Sequence, residues 1–335
     1  MKHVHLASKI SRHSLQNPEK VAITYGSESI TYLQLQKESS KIAHFLHDKI
    51  KTVKYVLIVL DRSPELIISI LGLLRCGLIF VPIDPGYPGN RIRTLFKEVE
   101  AEWLITTTGY KKKFTDIIAA EKLNVLLVDE RAREWDNGDI TFDDIYNKHC
   151  YIYFTSGSSG TPKGVLGRHR SLLHFIEWEI KEFAIDGDFR VSQLTNPSFD
   201  QILRDIFVPL AAGGTCCVPG NHDILLNPGQ LLKWLDKNRV NLIHTVPSLF
   251  KALSRWIVNA DCLFHVRYIL LAGELIRGND IKRFIDIFRD RIQLVNFYGP
   301  TETTLIKSFY RINLHLTLFS LTVSQASYKP ATKHI

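Results

Sequence analysis

From Val21 onward, short β-branched and apolar runs alternate with longer stretches in which apolar positions recur every three to four residues. The first pattern predicts buried strands and the second amphipathic helices, so their alternation predicts an α/β fold, a parallel-rich sheet covered by helices. Strands are expected at 53–60, 103–107, 124–128, 151–155, 190–194, 241–246, 268–272 and 293–298. The clearest helix starts with Ser63 as N-cap, Pro64 at its first position and Glu65 in its first turn, and ends where Gly77 can turn left-handed. It is apolar almost all round, which predicts deep burial. A second helix is expected within 197–210, where Ile202, Leu203, Ile206, Phe207 and Leu210 share helical spacing and Ser198 is a candidate N-cap.

At 335 residues and 45% hydrophobic composition the chain can bury a large core in two or three structural units. The polar stretch 131–148 is a candidate seam. It divides the chain into an N-terminal tail (1–16), a first α/β part (17–150), a second (151–309) and a divergent tail (310–335). The formal charge of +8 raises the question of an anionic partner. Apart from Lys111, Lys112 and Lys113, however, basic residues are scattered among acidic ones, which excludes a nucleic-acid stripe. Cys76, Cys150, Cys216, Cys217 and Cys262 are odd in number and lack metal-ligand spacing, so reduced thiols are expected. No run approaches the roughly 20 apolar residues of a membrane span, and the expected location is the cytoplasm.

Chemistry concentrates first in 151–165, YIYFTSGSSGTPKGV, where a strand runs into small hydroxyl residues and glycines. Gly157, Gly160 and Gly164 allow backbone N–H groups to turn toward oxygen anions. Thr155, Ser156, Ser158, Ser159 and Thr161 add hydroxyl donors, and Lys163 adds a mobile positive charge. The spacing is not that of a Walker loop. A plain Gly/Ser connector is the competing reading, but it has no need of a buried strand before it or a Pro-Lys-Gly after it. A second candidate is 293–304, QLVNFYGPTETT. There an aromatic face can stack on a base, an amide can read its edge, and a carboxylate can hold a cation, although Thr-Glu after a turn can equally cap a helix.

The loop at 151–165 resembles the phosphate loop of the adenylate-forming superfamily, which includes acyl-CoA ligases, luciferases and the adenylation domains of non-ribosomal peptide synthetases. ITYLQL (30–35), LRCGLIFVPIDPGYPGNRI (74–92) and the 293–304 segment resemble further motifs of that family, in family order. The resemblance implies two packed α/β subdomains and ATP with Mg²⁺ as cofactors. Thr155 to Thr161, Lys163 and Gly164 would lie on the phosphates. Gly273, Asn296 and Tyr298 would lie on the nucleoside, Thr301 near the α-phosphate and Glu302 on the metal, with Thr301 and Glu302 as the catalytic pair. Phe199-Asp200 resembles the peptide-synthetase motif whose aspartate pairs with a substrate α-ammonium, which implies an amino acid substrate. Arg204, four residues on, offers Asp200 an alternative helical ion pair. The other pocket positions implied are Gln201, Arg204, His244, Leu270, Ala272, Phe297, Leu305 and Ile306, a lining in which Arg204 and His244 would suit a polar or acidic side chain.

The same resemblance implies, in an intact system, a peptidyl carrier protein whose phosphopantetheine thiol accepts the acyl group, and condensation domains. It covers 17–309 and then fades: the family's Tyr-x-Thr-Gly-Asp segment, its Arg-bearing hinge and its small C-terminal domain with the transition-state lysine find no match. A truncated or frameshifted fragment of low activity is the expectation. A fragment of an acyl-CoA or aryl-acid ligase and a non-catalytic nucleotide-binding remnant are the alternatives.

Overall fold

The computed structural model describes residues 5–50, 55–130, 148–155, 162–221 and 223–312, together with the backbone of 329–330. In chain order its strands are β1 (Val21–Tyr25), β2 (Glu28–Thr31), β3 (Tyr55–Val59), β4 (Ile79–Ile83), β5 (Trp103–Thr106), β6 (Asn124–Leu127), β7 (His149–Thr155) and β8 (Lys163–Arg168). They continue with β9 (Arg190–Ser192), β10 (Thr215–Val218), β11 (Leu242–Thr245), β12 (Tyr268–Leu271), β13 (Gln293–Tyr298), β14 (Ser308–Arg311) and β15 (Lys329–Pro330). Each of the eight expected strands is present within two residues of its predicted ends, apart from 53–54, which lie outside the described residues.

The chain forms two compact units. The first comprises Met1–Ala22, Ser29–His174 and Asn196–Asp200, and the second Ile23–Glu28, Phe175–Thr195 and Gln201–Ile335. The first unit's sheet runs β6-β5-β3-β4-β7-β8, parallel up to β7, with β8 antiparallel. The second sheet runs β15-β14-β13-β12-β11-β9-β10-β1-β2, parallel from β13 to β1. The boundary expected at residue 150 is corrected: it falls inside β7, which pairs with β4, and apart from the excursion Ile23–Glu28 the backbone stays in the first unit up to His174.

Local chemistry explains the elements. In the helix Pro64–Arg75, Ser63 accepts the Leu66 N–H at 3.3 Å, and Gly77 takes φ +68 just beyond the C-cap Cys76. That helix closes on the helix Tyr32–Lys49 because Gly72 has no side chain: a Cβ there would stand 2.8 Å from Ile42 and 2.9 Å from the Ser39 carbonyl. In the first core, Leu57, Val59, Val81 and Leu104 pack with Ile92 and Phe96. In the second, Ile243, Ile269, Leu271 and Leu294 pack with Phe250, Phe284 and Phe288.

Three expectations are corrected. Residues 6–16, expected as a tail, form a helix that buries Leu6, Ala7 and Ile10, an apolar stripe that the polar composition of the segment obscured. The helix expected from 197 starts at Ile202 without a side-chain cap, because Ser198 spends its hydroxyl on the Asp84 N–H at 2.6 Å. Tyr310 and Arg311, assigned to a divergent tail, instead belong to β14, which pairs with β13, and Ile312 just beyond it donates its N–H to the Leu294 carbonyl at 2.9 Å. The alternating apolar positions Leu314, Leu316 and Leu318 of that tail, a pattern that predicts a strand, lie outside the described residues. All five cysteines are free thiols, and among the described residues no helix is long and apolar enough to cross a membrane.

His169 opens the helix His169–Glu182 with its ring buried and Nε2 without a hydrogen bond among the described residues. Burial, followed by the neighbouring charges of His5 and Lys148, pushes its pKa down to about 3 from an ordinary 6.5. The folded chain therefore holds this ring neutral while the unfolded chain protonates it below pH 6.5, so this contribution to stability shrinks as pH falls from 6.5 toward 3. Urea unfolding at pH 7 and pH 5 should differ by about 2 kcal/mol from this group, and His169→Leu should remove that difference.

Candidate active site

β13 carries the candidate chemistry at its C-terminal end. Successive side chains of a strand point to opposite faces. Asn296 and Tyr298 therefore share one face, and Val295 and Phe297 the other. Parallel register extends the second face across neighbouring strands, with His244 opposite Leu270 and Leu270 opposite Val295. Ala272 continues it two residues beyond Leu270. The expected nucleotide residues are thus sorted from the expected pocket residues by the pleat alone.

Beyond Tyr298 the chain turns back. Lys307 N–H donates to the Tyr298 carbonyl at 2.9 Å, and a Cβ on Gly299 would stand 2.6 Å from Ile306 Cα, so no side chain fits at that position. Thr301–Thr303 form one 3₁₀ turn in which Thr303 Oγ1 donates to the Pro300 carbonyl at 3.0 Å. Thr304 and Leu305 follow at φ +66 and +64, a left-handed pair that costs about 1 kcal/mol or more per residue for side chains of this kind. The capping arrangement that Thr-Glu allows is not made: the N-cap position is Pro300, without a side-chain cap bond. Glu302 is exposed and has no hydrogen bond or ion pair among the described residues, while Tyr298 is 66% exposed. Asn296 is buried beside them in sequence, and Gly273 at the end of β12 needs its φ of +87. A lone carboxylate of this kind fits Mg²⁺, which is bound through one or two carboxylates plus substrate phosphates rather than by a protein cage. Among the described residues no group of three or more His, Cys, Asp or Glu side chains makes such a cage.

On the other face the sequence-derived pocket residues do come together, but two of them are already engaged. Arg204 donates from Nε to Glu179 Oε2 at 2.8 Å and from Nη2 to Glu179 Oε1 at 3.1 Å. Its guanidinium also lies over the Phe297 ring, 4.5 Å from the centroid. Arg204 Nη1 donates to Gln201 Oε1 at 3.0 Å, and Gln201 Nε2 reaches the Leu305 carbonyl at 3.4 Å. His244 sits between two carboxylates, with Nδ1 2.9 Å from Asp205 Oδ1 and Nε2 2.6 Å from Glu179 Oε1. Both ring nitrogens can donate only in the imidazolium form. Asp205 Oδ2 then accepts the N–H groups of Leu194 and Thr195 at 3.1 and 2.9 Å.

These four ionisable groups are almost completely buried. Burial alone would raise the Glu179 carboxyl, but Arg204 and His244 outweigh it and hold its pKa down at about 2. The expectation that Arg204 and His244 offer free positive charge to an acidic substrate is therefore corrected, since Glu179 and Asp205 neutralise both. The helical ion pair offered to Asp200 is corrected likewise, because Arg204 turns to Glu179. Leu270, Ala272, Phe297, Leu305 and Ile306 are buried and apolar as their types imply.

In the first unit, β7 and β8 form a hairpin whose open end pairs Thr155 with Lys163 and Phe154 with Gly164. The expected phosphate loop is thus the connection of a hairpin, pinned at both ends. Ser156, Gly157, Ser158, Ser159, Gly160 and Thr161 lie outside the described residues. Lys163 is exposed at the hairpin's end. Asp200 is 5% exposed. The segment that leads to it is fixed by Ser198 and by the Asn196 amide, which donates to the Asp84 carboxylate.

Sequence reasoning missed Glu179 and Asp205. Glu179 stands at helical spacing with Leu172, Phe175, Ile176 and Phe183, and a carboxylate on such an apolar face signals a buried cationic partner. The lone Asp205 within the apolar run 202–211 carries the same signal.

A family model described as "AMP-binding enzyme" matches residues 10–324, well past the point at which the resemblance was expected to fade. Bacitracin synthase 1 of Bacillus licheniformis is 32% identical over 305 residues, covering 90% of this chain and 6% of that protein. Gramicidin S synthase 2 of Brevibacillus brevis is 30% identical over 297 residues, which is 88% of this chain and 6% of that protein. The chain thus spans well under a tenth of the length of these relatives. Among solved structures, the nonribosomal peptide synthetase FmoA3 in its alpha-methyl-L-serine-AMP bound form matches with a TM-score of 0.84 at 23% identity, over 92% of this chain and 34% of that one. A four-domain nonribosomal peptide synthetase bound to AMP and glycine matches at 0.77 and 24%, over 93% and 23%. The chain belongs to the AMP-binding enzyme family and is similar to the adenylation domains of nonribosomal peptide synthetases.

Proposed function

We propose that this chain adenylates an amino acid. The substrate carboxylate attacks the α-phosphorus of ATP, the bond from that phosphorus to the bridging oxygen of the β-phosphate breaks, and pyrophosphate leaves with the electron pair as aminoacyl-AMP forms. The observation that carries the reading is the end of β13, where an exposed Tyr298 and an uncommitted Glu302 flank a turn that tolerates no side chain at Gly299. Tyr298 stacks on adenine and Asn296 reads its edge, with Gly273 giving close backbone approach. Glu302 would hold magnesium, which would offset phosphate charge, and Thr301 would lie toward the α-phosphate. Thr155, Ser156 to Thr161, Lys163 and Gly164 hold the phosphates that leave.

Asp200 pairs with the α-ammonium, and Gln201, Leu270, Ala272, Phe297 and Leu305 surround the side chain. Because Arg204 and His244 are neutralised within the protein, the substrate side chain is uncharged or apolar rather than acidic. A carrier protein's phosphopantetheine thiol then gives up its proton and attacks the acyl carbon, the bond from that carbon to the phosphate oxygen breaks, AMP leaves, and condensation domains consume the thioester. Support comes from family membership, and the FmoA3 structure with a bound amino acid adenylate supports the same assignment. Exchange of labelled pyrophosphate into ATP, run across amino, aryl and fatty acids, tests it. Exchange with a neutral amino acid is expected, weak because the family's transition-state lysine finds no match in this sequence, and exchange confined to aryl or fatty acids refutes it.

A further inference from the structure

β11 ends at Thr245, and Val246 leads into the helix Pro247–Trp256, whose N-cap position makes no side-chain cap bond. A helix start of that kind leaves N–H groups without an intrahelical partner. Glu274, 26 residues beyond Ser248, supplies one: Oε2 accepts the Ser248 N–H at 2.9 Å and Oε1 accepts the Ser248 hydroxyl at 2.8 Å. Both oxygens engage one residue, so the clip fixes orientation as well as distance. On the other side of Gly273, Ala272 donates its N–H to the Thr245 carbonyl at 3.1 Å. Gly273 is thus the single residue between two ties to the same neighbouring turn, and it holds φ +87. Val246 of that turn abuts it, since a Cβ built on Gly273 would stand 3.6 Å from Val246 Cγ1. Leu271 pairs with Asn296, so Gly273 follows two residues beyond that pair on one chain as Tyr298 does on the other. Gly273, Glu274 and Tyr298 are all exposed, which leaves this edge open to a ligand.

We propose that Glu274 is a positioning residue for the adenine of ATP, acting through Gly273. The inference rests on the amino acid adenylation reading, which sets the base against Tyr298 and Gly273, and deepens it. Glycine visits both hands of the backbone and loses more freedom on ordering than any other residue. Untied beyond Ala272, Gly273 would offer its left-handed backbone to a base only part of the time. The clip to Ser248 removes that freedom before nucleotide arrives, so binding does not bear the cost of ordering the turn. Glu274 itself touches no base, because both of its oxygens face Ser248.

The test is calorimetric titration of the full chain with AMP, alongside the thermal midpoint, for the wild type, Glu274→Ala, Glu274→Gln and Glu274→Ala combined with Ser248→Asp. Glu274→Ala should bind AMP about tenfold more weakly and melt lower, having lost two hydrogen bonds to a charged group. Glu274→Gln keeps an acceptor for Ser248 and should fall between the two in affinity. The double variant gives the helix a carboxylate in its own first turn, which favours the helix N-terminus without tying it to Gly273. Its thermal midpoint should therefore rise back toward the wild type while its AMP affinity stays weak. Unchanged AMP affinity in Glu274→Ala, or affinity that returns together with the midpoint in the double variant, makes Glu274 a helix cap alone and overturns the inference, leaving the adenylation reading standing. If the wild type binds no AMP, the adenylation reading falls and this inference falls with it.

Discussion

Replacing Glu179 with alanine should destabilise the second unit by about 3–5 kcal/mol, the cost of breaking a buried ion pair from one side. The change strips a bidentate partner from Arg204 and one of two carboxylates from His244, leaving positive charge in a site from which water is excluded. A conservative Glu179→Gln keeps the shape but not the charge and should recover only part of the loss. Simultaneous replacement of Glu179, Arg204 and His244 by apolar residues of similar volume, with Asp205→Asn to keep an uncharged acceptor for the Leu194 and Thr195 N–H groups, should cost far less than the single change, because desolvation of the charges disappears with them. Trp178, 6.2 Å from Phe297, gives a fluorescence signal inside the same unit for urea unfolding. The acid limb adds an internal check. The Glu179 carboxyl is depressed to about 2 from an ordinary 4.5, so its contribution is present above pH 4.5 and lost as pH falls toward 2. The Glu179→Gln curve should be flatter over that window, and a loss below about 1 kcal/mol for Glu179→Ala would mean that the four groups do not act as one.

Asp200→Ala should weaken amino acid binding by about two to three orders of magnitude, about 3–4 kcal/mol, as expected for removing one member of a buried, hydrogen-bonded charge pair. Asp200 is buried on a segment fixed through Ser198 and Asn196, so the variant should keep its fold and its affinity for nucleotide. Calorimetry with and without an ATP analogue separates the two affinities. Unchanged amino acid affinity would transfer the ammonium contact elsewhere, and a parallel loss of nucleotide binding would make Asp200 a structural residue.

Much of this was legible in the residue pattern. Strand positions followed from short β-branched runs, and the helix Pro64–Arg75 followed from Ser63, Pro64 and Gly77, because caps and turns are local chemistry that the chain carries with it. The alternation in β13 already separated Asn296 and Tyr298 from Phe297. What was not legible is long-range choice. Arg204 had a carboxylate four residues away and took Glu179, 25 residues away, because bidentate geometry in a buried site outweighs helical proximity. Ser198 looked like an N-cap and instead binds the Asp84 N–H, 114 residues away in sequence. β8 was missed because Lys163–Arg168 alternates weakly, and its pairing with β7 is what makes the glycine-rich stretch a hairpin connection.

In the proposed reaction the end of β13 contacts adenine and the β7–β8 hairpin contacts phosphate. Photoaffinity labelling of the full chain with an azido-adenine analogue of ATP, followed by peptide mapping, reads the adenine contact. A lysine-reactive sulfonyl fluoride derivative of adenosine reads the phosphate side. Photolabel is expected on the peptide containing Asn296 and Tyr298, reactive label on Lys163, and loss of both when excess ATP with magnesium is present. Label that ATP does not displace, or that maps away from both segments, would contradict it.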